Sequence, residues 1–263
     1  MRYFIEVAYR GTNYSGFQIQ KNANTVQAEM EKALFVLLKQ KISLTGSSRT
    51  DSGVHALQNF FHFDSVTNIE LHSANNSGDF RIDNNANKFL YNLNSILPED
   101  IVCKNIIPLA QECHCRFDAV MRKYKYFIYR TKDPFLKDRA YYFPYKMDME
   151  KLGEAATLIK GYTDFTSFSK KNTQVKTFEC TIFESDWLFE NNTLVYQVGA
   201  NRFLRGMVRA LTATMLKVGR SNLSINEFRN IIEARNFNKA FFAVPAHGLF
   251  LESVKYPVGY FEQ

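Results

Sequence analysis

The run Ser47-Ser48-Arg49-Thr50-Asp51-Ser52-Gly53-Val54-His55-Ala56 constrains this chain more than any other stretch, because small, turn-forming residues there separate two segments that read as strands. Residues 41–45 lead into the run, and 55–63, rich in aromatic residues, lead out of it. Thr50 and Ser52 can hydrogen-bond the backbone, and Gly53 can take dihedrals closed to other residues. Asp51, with Arg49 two residues before it, is therefore expected on a sharp turn facing a cleft, the posture of a catalytic carboxylate.

Upstream, residues 1–9 alternate as a strand does, and Gly11-Thr12-Asn13-Tyr14-Ser15-Gly16-Phe17-Gln18 reads as a turn-rich loop. Thr25 then opens a helix, since Val26, Met30, Ala33, Leu34, Leu37 and Leu38 recur at spacings of three and four. The order strand, loop, helix, strand, turn, strand predicts an α+β half on an antiparallel sheet. Residues 75–88 are dominated by Asn, Ser, Asp and Gly and read as an exposed loop, with helical pattern resuming over 89–94. Further on, strands are predicted at 124–130, 180–190 and 194–200, and helices near 149–160, 202–218 and 225–234. The expected architecture is α+β, two halves sharing a largely antiparallel central sheet flanked by helices. The division is placed near Pro108, giving halves at 1–108 and 109–263. No Walker or dinucleotide motif follows a strand, so no nucleotide cofactor is expected.

Charge is distributed unevenly. Residues 1–110 hold 10 basic and 10 acidic side chains, whereas 111–263 hold 23 and 16, so the whole net charge of +7 lies in the second half. A basic face of that kind suits a polyanion, whose phosphates give up counterions on binding. The N-terminus has no signal-peptide pattern and no transmembrane run occurs, so a cytoplasmic protein is expected. Cys103, Cys113, Cys115 and Cys180 lack framework spacing and read as reduced thiols. Cys113-His114-Cys115 carries metal-ligating side chains, but a structural zinc site needs a fourth ligand and usually wider spacing, so small buried thiols without metal are expected.

Two further segments could serve RNA chemistry. Period-two alternation along Arg122-Lys123-Tyr124-Lys125-Tyr126 puts Arg122, Tyr124 and Tyr126 on one face and the lysines on the other. Rings stack on unpaired bases and cations neutralise phosphate. In Asn201-Arg202-Phe203-Leu204-Arg205-Gly206-Met207-Val208-Arg209, helical spacing would gather Arg202, Arg205 and Arg209 into a basic stripe opposite Phe203, Met207 and Leu211.

These motifs, in this order, resemble the tRNA pseudouridine synthase A family. The run 48–56 is similar to its G-R-T-D-A-G-V-H-A signature, with Ser48 and Ser52 in place of Gly and Ala; residues 122–126 match R-x-Y-x-Y; and 203–209 resemble F-L-R-x-M-V-R. His114, Arg116 and Phe117 match F-H-A-R-F, 161–168 resemble G-x-x-D-F-x-S-F, and 246–251 resemble the closing A-x-G-L-x-L strand. Arg10 and Phe17 depart from the Asp and Trp of the family's first loop, and Thr212-Ala213 from a Val-Gly pair.

The resemblance implies the pseudouridine synthase fold, an isomerase acting on uridines at positions 38 to 40 of the tRNA anticodon arm, a homodimer, and no cofactor. It assigns Asp51 to catalysis, Tyr124 to stacking on the target base, Arg49 to the space that base leaves, and Arg209 to a pairing with Asp51. Arg116 and Lys176, the latter near Lys170 and Lys171, join the substrate-binding set. Two alternatives stand beside this reading: a catalytically silent RNA-binding protein on the same fold, and a hydrolase with Asp51 as nucleophile and His55 as base.

Overall fold

The computed structural model describes residues 1–66, 69, 86–171 and 175–262. They form two compact units, one of Met1–Ala119 with Tyr256–Gln263 and one of Val120–Lys255. Pro108, where the sequence placed the division, lies inside a strand.

In the first unit β1 (Arg2–Tyr9) runs between β3 (His55–Asp64) and β4 (Ile101–Leu109), antiparallel to both. A two-residue β2 (Thr45–Gly46) adds to β3. Helix α1 (Val26–Leu38) starts where Thr25 caps it, the buried hydroxyl accepting the Ala28 N–H at 3.3 Å. It packs against α2 (Ala86–Ile96). The strand expected over 41–45 is confined to its last residue. Ile42 and Leu44 are buried as a strand would bury them, but Leu44 N–H donates to Glu31 Oε1 and Leu44 C=O accepts from Gln27, so side chains of α1 satisfy backbone that a ladder would otherwise serve. Of the polar stretch 75–88, residues 86–88 open α2 and the rest lie outside the described residues.

The C-terminal residues belong to this first unit because of their rings. Tyr256 and Phe261 pack on Phe60, and with Tyr260 they surround Phe4, which is fully buried. Tyr256 Oη donates to Cys115 C=O and Tyr260 Oη to Asp118, both at 2.6 Å.

In the second unit the strand order is β9-β5-β8-β7, antiparallel throughout, from β5 (Met121–Tyr129), β7 (Ile182–Glu190), β8 (Thr193–Ala200) and β9 (Leu249–Lys255). A short β6 (Tyr141–Tyr142) pairs parallel to β5. Helices α3 (Met149–Leu158), α4 (Met207–Gly219) and α5 (Ile225–Glu233) pack on one another. Eleven of the thirteen residues of α4 are buried, and its two buried threonines return their hydroxyls to the carbonyls of Val208 and Ala210. A Cβ on Gly219 would stand 2.8 Å from Leu152, so this glycine sets how closely α3 approaches.

The predicted helix over 202–218 is shorter at its start. Gly206 sits at φ 75°, outside helical space, and α4 begins at Met207. Arg202 and Arg205 therefore precede the helix and do not share a helical stripe with Arg209.

Folding of the first unit is linked to pH. His62 on β3 is buried against Arg2 and His114, and burial pushes its pKa down to about 4 from 6.5. The native state thus binds this proton less readily than the unfolded chain does. Its contribution is complete above pH 6.5 and is lost as pH falls from 6.5 toward 4. Urea denaturation across that window should show falling stability, and His62→Asn should flatten the fall; an unchanged acid limb in the variant would remove His62 from the account.

Candidate active site

Asp51 stands on a turn held from both sides. From below, Asn59 of β3, fully buried, uses every valence of its amide: Nδ2 donates to Ser48 C=O (3.0 Å) and Tyr9 Oη (3.3 Å), and Oδ1 accepts from Ser47 Oγ (2.8 Å) and the Phe60 N–H (3.0 Å). Tyr9 passes the connection on to Thr50, Oη to Oγ1 2.8 Å, and burial pushes its pKa up to about 12. From the other side the loop after β1 clasps the turn. Phe17 N–H donates to Thr50 C=O (3.1 Å), while Tyr14 C=O accepts from Gly53 N–H (3.3 Å) and Ser52 Oγ (3.1 Å).

Two glycines make the clasp possible. Gly16 has φ 105°, and a Cβ there would lie 2.9 Å from Thr50 C=O; Gly53 has φ 77° in the turn itself. The loop is anchored in turn by Asp100, which receives Asn13 Nδ2 at 3.1 Å and the Tyr14 hydroxyl. Asp51, half-buried, and Arg49, exposed, thus share one braced turn, and the buried Thr50 between them points inward.

His55 is fixed elsewhere. It is buried at 1% exposure and its Nδ1 accepts the Gly11 N–H at 3.1 Å, which ties it to the loop after β1.

Arg116 is exposed, its guanidinium 5.8 Å from the Phe117 ring centroid. Nearby, His62, His114 and Cys115 bring their ligand atoms within 4.8 Å of one another. Hydrogen bonding decides what this cluster is. His62 Nδ1 accepts from Cys115 N–H and His114 Nδ1 from the N–H groups of Arg116 and Phe117, so each neutral ring carries its proton on Nε2, the atom a metal would need. The Cys115 thiol donates to Thr45 C=O at 3.1 Å. These protons make the cluster a packed, neutral element of the core. Cys113 is not part of it, and all four cysteines are free and buried.

In the second unit Tyr124 lies on β5, 8% exposed, with the edge of Phe203 at 5.1 Å between centroids and an interplanar angle of 86°. The lysines of the opposite face are not open to phosphate as the alternation suggested. Lys123 pairs with Glu184 (3.1 Å) and Glu252 (3.7 Å), and Lys125 with Glu190 (2.6 Å) and Glu252 (3.0 Å), so carboxylates of β7 and β9 already take both charges. Arg122 is buried and donates to Asn201 C=O at 2.9 Å.

Arg209, half-buried in the first turn of α4, directs Nε (3.1 Å) and Nη2 (2.7 Å) onto Val244 C=O. Tyr126, two residues from Tyr124 on the same face of β5, donates to the next carbonyl, Pro245 C=O, at 2.7 Å. The segment 244–245 therefore ties the strand of Tyr124 to the helix of Arg209. Lys176 is exposed, and among the described residues the Arg202 guanidinium reaches Thr177 Oγ1 at 3.4 Å.

Asn59, Tyr9, Tyr14 and Val244 were not singled out from sequence. Asn59 carried a signal, a lone amide among the apolar residues of a strand; the carbonyls of Tyr14 and Val244 carried none, since a main-chain acceptor has no sequence signature.

Each unit is an antiparallel α+β structure, the first presenting Asp51 on a braced turn and the second a sheltered Tyr124 ring on β5 and an arginine, Arg209, tied to Val244 C=O. A family model described as tRNA pseudouridine synthase matches residues 5–118 and 155–257. The chain is 43% identical over 256 residues to tRNA pseudouridine synthase A of Parabacteroides distasonis, covering 97% of this chain and 96% of that protein. It is 41% identical to the protein of that name from Porphyromonas gingivalis (97% of each chain) and 35% identical to that from Staphylococcus aureus (97% and 90%). The chain belongs to the tRNA pseudouridine synthase family.

The Asn59 network should be measurable by itself. Asn59→Leu strips partners from Ser48 C=O, Ser47 Oγ and the Tyr9 hydroxyl in a buried setting, and should cost about 3 kcal/mol. A denaturation midpoint that moves by less than about 1 kcal/mol would show that the turn is held without it.

Proposed function

We propose that this chain isomerises uridine to pseudouridine in the anticodon arm of tRNA, at positions 38 to 40, as a cytoplasmic homodimer. The observation that carries the reading is the Asp51 turn, in which hydrogen bonds from two directions hold a half-buried carboxylate within the family's signature run.

The chemistry sets what the protein has to supply. The N1–C1′ bond must break, the freed uracil must rotate, and C5 must join C1′, the proton leaving C5 being balanced by one taken up at N1. Atoms balance without oxidant or co-substrate, so the work is that of a carboxylate, a stacking surface and a site that retains the base. Asp51 is the carboxylate that acts on the ribose or the base. Tyr124, its ring held edge-on by Phe203, stacks on the extruded uracil. Arg49 fills the position the base leaves, and Arg209 pairs with Asp51. Arg116 and Lys176, both exposed, contact phosphate.

Asp51→Asn should abolish pseudouridine formation while tRNA affinity and thermal stability stay near wild type, because size is kept and charge removed. Turnover within tenfold of wild type, measured by pseudouridine mapping of a tRNA transcript, would sink the assignment.

Arg209 is the more discriminating position. Its planar fork directs two donors onto one carbonyl, a geometry an ammonium cannot copy. Arg209→Lys should lose turnover strongly with little change in tRNA affinity, and Arg202→Lys, where only a long contact is at stake, should lose little. Equal, mild effects would leave Arg209 without a catalytic task.

A further inference from the structure

A second place in the Val120–Lys255 unit has the chemistry of nucleotide recognition and no part in the catalytic reading. Beyond the end of α4 lies a cavity of about 130 Å³, walled by Tyr141, Phe143 and Phe241. It is about the size of the 150 Å³ engineered cavity that holds one benzene ring, and far smaller than a site for a whole cofactor.

Its rim is cationic. Lys217 places Nζ 4.2 Å from the Phe241 centroid, and Arg220 lies 3.9 Å from the Tyr145 ring and 5.9 Å from Phe143. Neither makes an ion pair among the described residues, in contrast to Lys123 and Lys125, which are matched by three glutamates. A positive charge over an exposed aromatic ring is held weakly, so it stays available to a phosphate. The rings are also within reach of solvent: Phe241 of the pocket wall is 36% exposed, and Tyr145, which lies outside the wall beneath Arg220, is 48% exposed. Aromatic walls with unmatched cations at the mouth are what an unpaired base with its flanking phosphate requires. The pocket also borders the segment on which Arg209 rests. Val244, which lines the pocket, is the residue whose carbonyl fixes Arg209, and Phe241 N–H is held by Thr214 Oγ1 on α4 at 3.2 Å.

We propose that this pocket binds an unpaired nucleotide of the substrate RNA, its base between the aromatic walls and its phosphates against Lys217 and Arg220. The proposal rests on the catalytic reading for the identity of the RNA, and it adds a recognition point that would select substrates by a nucleotide other than the one isomerised.

The test uses the full chain and a tRNA transcript. Lys217→Gln/Arg220→Gln removes the charges, and Ala243→Phe fills the pocket from its exposed rim without changing charge. Both should weaken tRNA binding about tenfold, the lower part of the range for losing one stacked base, and raise KM while kcat at saturating tRNA is unchanged. The charge variant should flatten the dependence of affinity on salt, and Ala243→Phe should leave it as it was. Ultraviolet cross-linking of the wild-type chain to the transcript, read by peptide mapping, should attach RNA to Phe241 or Tyr145, a result that does not depend on how the variants fold. Wild-type affinity in both variants with no cross-link at either ring, in a protein that still forms pseudouridine, overturns the pocket and leaves the catalytic reading intact. If the wild-type chain forms no pseudouridine, the catalytic reading fails, and the cross-link alone decides whether RNA enters the pocket.

Discussion

A single buried amide organises the catalytic half of this protein. Asn59 sits on β3 with no exposure to solvent, and all four of its hydrogen-bonding positions are filled. Two partners are in the segment that leads to Asp51, a third is the Tyr9 hydroxyl, and Tyr9 bonds Thr50. Burying an amide costs free energy unless it is satisfied, so the network forms as a whole or not at all. That cooperativity makes the turn a rigid extension of the sheet, although half its residues are of the kind that usually populate mobile loops.

The second unit reaches rigidity by another route. Its central helix, α4, is apolar nearly all round and is locked by close packing against α3 at Gly219. Polar contacts are concentrated at one point, the carbonyls of Val244 and Pro245, where Arg209 and Tyr126 converge from helix and strand. An arginine tied in this way has a defined direction. The same segment borders the aromatic pocket.

Charge in this chain illustrates why counting is not placement. The surplus of +7 lies wholly after residue 110, yet Lys123 and Lys125 within that part are spent on Glu184, Glu190 and Glu252. Lys217 and Arg220, unremarkable in sequence, lie over aromatic rings and make no ion pair among the described residues. The cations left for a polyanion are those for which the fold supplies no carboxylate. A similar distinction applies to the histidines: His62 and His114 meet with Cys115 as a metal site would have them meet, but main-chain N–H groups have claimed their Nδ1 atoms.

Local pattern determined a good deal. The alternation of β1, the period of α1 behind its Thr25 cap, and the small-residue turn around Asp51 are all readable, because each depends on dihedral preference and hydrophobic spacing over a few residues. The family, too, was legible from short runs in a fixed order. What the chain order could not express is which distant groups meet. The C-terminal rings of Tyr256, Tyr260 and Phe261 return to Phe4 across almost the whole sequence, Gly206 breaks the helix that the spacing of Arg202, Arg205 and Arg209 suggested, and residues 41–44 give up a ladder for the side chains of α1. Those outcomes turn on burial and on the satisfaction of main-chain groups, which are properties of the packed molecule, so only the tertiary structure decided them.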